Sequence, residues 1–198
     1  MVPDNPDTVA VMDGEAVVYN SLSVDMFGFR EQFSPGAFRE SLGTRDIVAL
    51  IDHQSSRIIG RQTAKTLRIV DTPEALKASI DIPNTSYGND CVVSVRRRDQ
   101  AGMSFVFDEI EDTWEFKKDG TILRTVQKAE LYEVTITGFP AYPATSIGLR
   151  STDSINPLYQ PTLTLLERAR STVEKSTPEA DWIDDRYRLL LRLAETSL

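Results

Sequence analysis

Apolar and polar residues alternate in short runs between about residues 8 and 150, the pattern of strands with one face on a core. Residues 8–12 and 16–19 flank Asp13-Gly14 and predict a hairpin. Residues 47–51 form a continuous apolar run ending in Asp52-His53, which predicts a buried strand with a polar exit. Further strands are predicted over 66–70, 76–82, 103–107, 114–116, 121–126 and 130–137. Turn-forming residues punctuate them at Asp71-Thr72-Pro73, Pro83-Asn84, Asp119-Gly120 and Phe139-Pro140. This spacing predicts a mostly antiparallel sheet or a closed barrel.

Helical signals interrupt the strands twice. Residues 34–42 open with Ser34-Pro35, a cap followed by proline at the first helical position. Residues 86–98 suit a second helix with Val92, Val93 and Val95 facing inward, although the β-branched run leaves a strand open there. Gly88-Asn89-Asp90 reads as a loop. After Arg150 the composition changes. Residues 151–161 are linker-like, and Leu163, Leu165, Leu166, Ala169 and Val173 then recur at helical spacing. A last helix is expected over 180–196, so the chain divides into a domain of residues 1–150 and a linker with helical tail over 151–198. No internal repeat is visible.

Composition narrows the function classes. Of 198 residues, 40% are hydrophobic, enough to bury a core. The net charge of -8 and pI near 4.8 argue against nucleic acid and anionic membrane as partners. The local exception is Arg96-Arg97-Arg98, read as a solvated helix end, with contact to an acidic segment or to an oxyanion as the alternative. The first residues are polar and acidic rather than a targeting signal, and no apolar run approaches the roughly 18 residues of a membrane span. Cys91 is the lone cysteine, which rules out an internal disulfide and fits a reducing cytosol. With one histidine and one cysteine no metal-site spacing emerges, and no metal or cofactor is expected. Histidine chemistry has one candidate base, His53.

A serine nucleophile needs a base to take its proton and a third group to orient that base. His53 ends one predicted strand, Ser104 begins another, and Glu130 and Glu133 lie on a third. Alternation puts Ser104 and Val106 on one face and Phe105 and Phe107 on the other. It groups Glu133 with Leu131, Thr135 and Thr137, and Glu130 with Tyr132, Val134 and Ile136. Ala101-Gly102 is expected to let a substrate backbone approach closely. Spacing alone leaves Ser104 an ordinary strand serine and His53 an ordinary polar residue. Cys91 paired with His53 is the rival nucleophile, against the usual role of a free cysteine as a small buried hydrophobe. Trp114 and Phe116 suit a substrate groove or, more commonly for strand aromatics, the core. Pro140-Ala141-Tyr142-Pro143 reads as a chain corner.

The ordered blocks add more. Residues 14–21 (Gly-Glu-Ala-Val-Val-Tyr-Asn-Ser) and 28–38 (Gly-Phe-Arg-Glu-Gln-Phe-Ser-Pro-Gly-Ala-Phe) come first, then the strand into His53 with Ile59-Gly60-Arg61. Residues 102–107 (Gly-Met-Ser-Phe-Val-Phe) and 131–145, which begin Leu-Tyr-Glu-Val-Thr, complete the series. In this order they resemble the prohead maturation proteases of tailed bacteriophages over about residues 14 to 150. The resemblance implies Ser104 as nucleophile, His53 as general base, and Glu133 of the Glu-Val-Thr motif as the third member, with Glu130 in reserve. The family usually shows Asn-His-Asp where this chain has Asp52-His53-Gln54. Arg150 matches the arginine that closes the family's motif region. The family is similar in fold to the herpesvirus capsid protease, which implies a closed or nearly closed antiparallel β-barrel wrapped by helices, mainly β with flanking helices (α+β). The second histidine of that enzyme's triad has no counterpart here.

The function this implies is a serine endopeptidase inside the immature procapsid, in the host cytoplasm. Its expected partners are the major capsid protein or its scaffolding segment, other scaffold, and itself by autocleavage, with a homo-oligomer as an option. The alternative from another class is a non-catalytic assembly or scaffolding factor that retains the protease fold.

Overall fold

Ala78, Ile80 and Ile82 are buried in turn while the residues between them are not, so this stretch lays one face of a strand on the core. The strand is β6 (Ala75–Pro83). In this computed structural model, which describes residues 6–147, β6 pairs antiparallel with β1 (Thr8–Val18) and with β5 (Leu67–Asp71). A short β9 (Ser146–Ile147) closes the far side of β1, giving a sheet of order β5-β6-β1-β9.

The second sheet is built on β8 (Ile122–Thr137), paired antiparallel along its length with β7 (Gly102–Phe116). Because β7 takes one edge of β8, two strands share the other. Its first part pairs in parallel with β2 (Phe29–Phe33), and its last part with β3 (Val48–Ile51). The β4 strand (Ile58–Arg61) adds antiparallel to β3. Two helices complete the described residues, α1 (Arg39–Thr44) and α2 (Ser86–Arg97).

The class is mainly β with a few helices, as expected, but the described strands lie in two sheets and form no closed barrel. The sheet is not purely antiparallel either, since β2 and β3 both run parallel to β8. The expected hairpin at Asp13-Gly14 is absent: β1 runs straight through it in register with β6. Gly14 is needed there for a close approach, because a Cβ would lie 2.5 Å from the Ser146 oxygen and 2.7 Å from Met103 Sδ. Residues 103–107 and 114–116 are parts of one strand, as are 130–137 and all but Thr121 of 121–126. The charged run 108–112 hides that continuity from an alternation pattern. There only part of the ribbon is open to water, since Asp112 turns to the buried Arg124, and the pairing carries register shifts between Glu109 and Asp112.

The first helix starts later than Ser34-Pro35 predicts. Gly36 has φ +81°, which keeps 35–38 as turns, and α1 begins at Arg39. The second segment is a helix. Thr85 caps it by accepting the Gly88 N–H at 3.1 Å, so the glycine of the expected loop lies in the first turn. Val92 is buried with Cys91, whereas Val93 is exposed rather than inward. The expected linker, tail helices and Arg150 lie outside the described residues.

Phe33 anchors the core that matters for function. Its ring meets Phe38 at 5.1 Å, Phe105 at 5.2 Å, Phe107 at 4.9 Å and Tyr142 at 5.6 Å. Burial of each such ring contributes roughly 1.5–3 kcal/mol. Since Phe105 and Phe107 are held on this side of β7, Ser104 between Met103 and Phe105 is turned to the other face. Beside the cluster lies a buried ionic knot. Arg124, fully buried, donates to Glu31 at 2.5 Å and to Asp112 at 2.7 Å, and its guanidinium stands 5.6 Å over the Trp114 ring. Glu31, also fully buried, accepts the Tyr142 hydroxyl as well. The knot ties β2, β7, β8 and the 139–145 loop together. Trp114 also meets Phe29 at 5.1 Å, which makes it a packing residue rather than an open groove wall.

Candidate active site

Three elements bring the predicted residues to one face of the second sheet. Ser104 is the third residue of β7 and pairs across the sheet with Thr135 of β8; the next pair on the same face is Val106 with Glu133. Ser104 and Glu133 are both buried, and Thr135 is fully so. His53 follows β3, whose Leu50 is the register partner of Thr135 on its other side. β8 thus lies between the strand of the serine and the strand that delivers the histidine.

The histidine turns back over this face through a strained bend. Asp52 and His53 have φ of 47° and 56°, two successive non-glycine residues in the left-handed region. Each costs about 1–3 kcal/mol and persists only where the surroundings hold it. Backbone hydrogen bonds do so: the Asp52 N–H donates to the Ile136 oxygen at 3.0 Å, and the Gln54 N–H to the Ile51 oxygen at 3.0 Å. The His53 N–H donates to Thr135 Oγ1, also at 3.0 Å. The result is that His53 Nδ1 lies in direct hydrogen-bond contact with Glu133 Oε1. The His53 side chain keeps about one-fifth of its surface open, whereas Glu133 is nearly closed off. The second carboxylate oxygen of Glu133 is buried without a hydrogen-bond partner among the described residues.

Nδ1 held by a carboxylate fixes the neutral imidazole with its proton on that nitrogen, which leaves Nε2 as an acceptor. The hydrogen bonds of the ring do not include Ser104 in this structure. Nucleophile–base hydrogen bonds are often long without substrate and tighten when it binds. The structure therefore joins His53 to Glu133 directly and sets Ser104 on the adjoining strand, opposite the threonine that holds the His53 backbone.

The reserve acid and the rivals lie elsewhere. Glu130 is an ion-pair partner of Arg45 at 2.6 Å, and the Arg45 guanidinium stacks 4.4 Å over Tyr132. That bond holds the Glu130 carboxyl below its ordinary pKa. The simple alternation across 130–137 fails at Tyr132. Val106 pairs with Glu133 and Phe107 with Leu131, so Tyr132 is an extra residue on β8. Leu131 consequently joins Val134 and Ile136 in the core, while Glu133 stays with Thr135 on the face of the site. Cys91 is buried, and burial followed by the Asp52 charge pushes its thiol up to about 11. A thiol so protonated is a poor nucleophile. The Asp52 carboxylate accepts from Gln100 at 2.9 Å. Arg96, Arg97 and Arg98 are exposed at the end of α2, where Arg97 pairs with Asp99. Gly102 does not leave room for substrate: a Cβ there would stand 2.6 Å from Pro140 Cγ, so its small size admits the proline. The corner expected at 140–143 is built on that contact and on Tyr142, stacked 5.0 Å from Phe105.

Sequence reasoning did not single out Thr135 as part of the site. The signal was present in the Glu-Val-Thr spacing, which puts Glu133 and Thr135 on one strand face. Its value appears only with the register that sets Thr135 opposite Ser104.

The family described as caudovirus prohead serine protease matches this chain over residues 2–158. No curated protein and no solved structure matches it.

Proposed function

From the premise that this chain belongs to the caudovirus prohead serine protease family, we propose that Ser104 is its nucleophile, His53 the general base and Glu133 the acid that orients the base. The observation that carries the assignment is the His53–Glu133 contact on the sheet face that also bears Ser104. In the reaction, His53 Nε2 takes the Ser104 Oγ proton as Oγ attacks the scissile carbonyl carbon. The tetrahedral intermediate collapses when His53 returns that proton to the leaving amine, and the acyl-enzyme remains on Ser104. Water, deprotonated by His53, then attacks the ester, and as the Oγ–acyl bond breaks His53 returns that proton to Ser104 Oγ and the new carboxylate leaves. Glu133 holds the Nδ1–H and stabilises the imidazolium that forms at each proton transfer. A carboxylate in this position supplies what a second histidine cannot in a chain with one histidine.

A prohead protease works inside the procapsid. The substrates proposed here are the scaffolding segment of the major capsid protein, other scaffold, and the protease chain itself, within a procapsid in the host cytoplasm. Neither nucleic acid nor membrane takes part in this reading, consistent with the net charge of -8. The direct test is a fluorophosphonate probe followed by peptide mass mapping. The label is expected on Ser104 and absent from the His53→Ala protein; a label spread over surface serines, or none, would refute the assignment.

A further inference from the structure

The left-handed bend at Asp52 and His53 raises the question of what holds it. The Asp52 N–H and carboxylate are occupied by Ile136 and Gln100. The backbone N–H of His53 itself is held by a side chain, Thr135 Oγ1, at 3.0 Å. Thr135 is fully buried, so this hydroxyl does not exchange its partner for water. The same residue is the register partner of Ser104 on one side and of Leu50, three residues before His53, on the other. Two residues earlier on the same strand face, Glu133 holds the imidazole. The end of β8 therefore grips His53 twice, at the backbone through Thr135 and at the ring through Glu133.

We propose that Thr135 is a positioning residue for the reaction: its hydroxyl fixes the His53 bend so that the ring bridges Glu133 and Ser104. This rests on the protease reading above. Threonine meets both demands of the position. Its methyl group and branched Cβ suit a buried strand, and its oxygen supplies the acceptor that valine, of the same shape, lacks. Without the acceptor the His53 N–H loses this partner and the strained bend can relax. A displacement of about 1 Å at the reacting groups costs on the order of 100-fold in rate.

The test compares full-length wild type, Thr135→Val and Thr135→Ser, each checked by thermal melting, with a fluorophosphonate probe. Thr135→Val is expected to lower the maximal labelling rate on the order of 100-fold with the half-saturating probe concentration unchanged. Thr135→Ser is expected to stay within about threefold of wild type, because the acceptor is restored. Thr135→Ala replaces the valine variant if that protein melts early. A second arm reads the only histidine by NMR in a Ser104→Ala background, where activity plays no part. The Thr135→Val change should move the His53 backbone amide and ring signals, and Thr135→Ser should return them. If Thr135→Val labels as fast as wild type, or Thr135→Ser is as slow as a folded Thr135→Val, the proposal is overturned. If wild type itself does not label, the protease reading fails, and unchanged His53 signals in Thr135→Val would then overturn the positioning role on their own.

Discussion

Removing Arg124 should destabilise the fold more than removing any single residue of the candidate active site. Its guanidinium is fully buried and compensates Glu31, also fully buried, and Asp112, whose side chain is 3% exposed. In Arg124→Met the hydrocarbon volume is kept while the positive charge is lost. Glu31 then retains the Tyr142 hydroxyl as its side-chain partner among the described residues. Breaking a buried pair from one side costs about 3–5 kcal/mol, because an uncompensated charge remains. Against the 5–15 kcal/mol that holds a typical domain together, this is a large share. It corresponds to a fall in melting temperature of roughly 10 °C. The pH dependence has a definite sign. Burial already raises the Glu31 carboxyl above its ordinary pKa, with the Arg124 charge as the largest opposing influence. Loss of Arg124 raises it further, so the folded state holds a proton that the unfolded chain has released. Stability of Arg124→Met relative to wild type must then fall as pH rises from the raised wild-type value of Glu31 through the still higher value in the variant. Urea unfolding followed by circular dichroism at a series of pH values measures both effects. Adding Glu31→Gln to the variant should recover part of the loss. A variant within 1 kcal/mol of wild type at neutral pH, or one whose relative stability rises with pH, would refute this reasoning.

Other consequences are open to simpler assays. Glu133→Gln keeps the shape beside His53 but removes the carboxylate, and should cut the rate of fluorophosphonate labelling on the order of 10³–10⁴-fold while melting near wild type. The native Cys91 thiol should resist iodoacetamide at neutral pH, and Cys91→Ala should keep full labelling at Ser104, as measured by intact mass. Gly102→Ala would force a methyl group against Pro140, which stands 2.6 Å from that Cβ position; overpacking of this kind costs about 1–3 kcal/mol, readable as a lower urea midpoint.

What the chain reveals before its structure is known follows from the range of the forces involved. Local patterns are enough to place β3 as an apolar run and β5 and β6 as alternating strands, whereas the β-branched run in α2 leaves helix against strand open and puts Val93 on the buried side with Val92. Pairing is not local. Nothing in the pattern of residues 29–33 says that this strand lies parallel to residues 122–126 far along the chain, and that parallel pairing accompanies the two-sheet arrangement where a barrel was expected. The charged stretch 108–112 looks like a loop because its carboxylates face water or the Arg124 guanidinium rather than an apolar core. The order of motif blocks singled out Ser104, His53 and Glu133, but alternation left Glu133 and Glu130 in competition. The extra residue at Tyr132 moves Leu131 off the face of Glu133 and into the core, while the Arg45 ion pair occupies Glu130, and such a bulge leaves little trace in sequence. Thr135 was hidden for the same reason as the pairing: its role depends on what lies beside it.

The central claim, that Ser104 performs proteolysis in the procapsid, is tested most directly by co-expressing the chain with its major capsid protein and weighing the products by intact mass spectrometry. With wild type, the capsid protein and the protease should both appear shortened. With Ser104→Ala, both should keep their full masses while immature shells still assemble. Processing that continues unchanged in the Ser104→Ala protein would contradict the account.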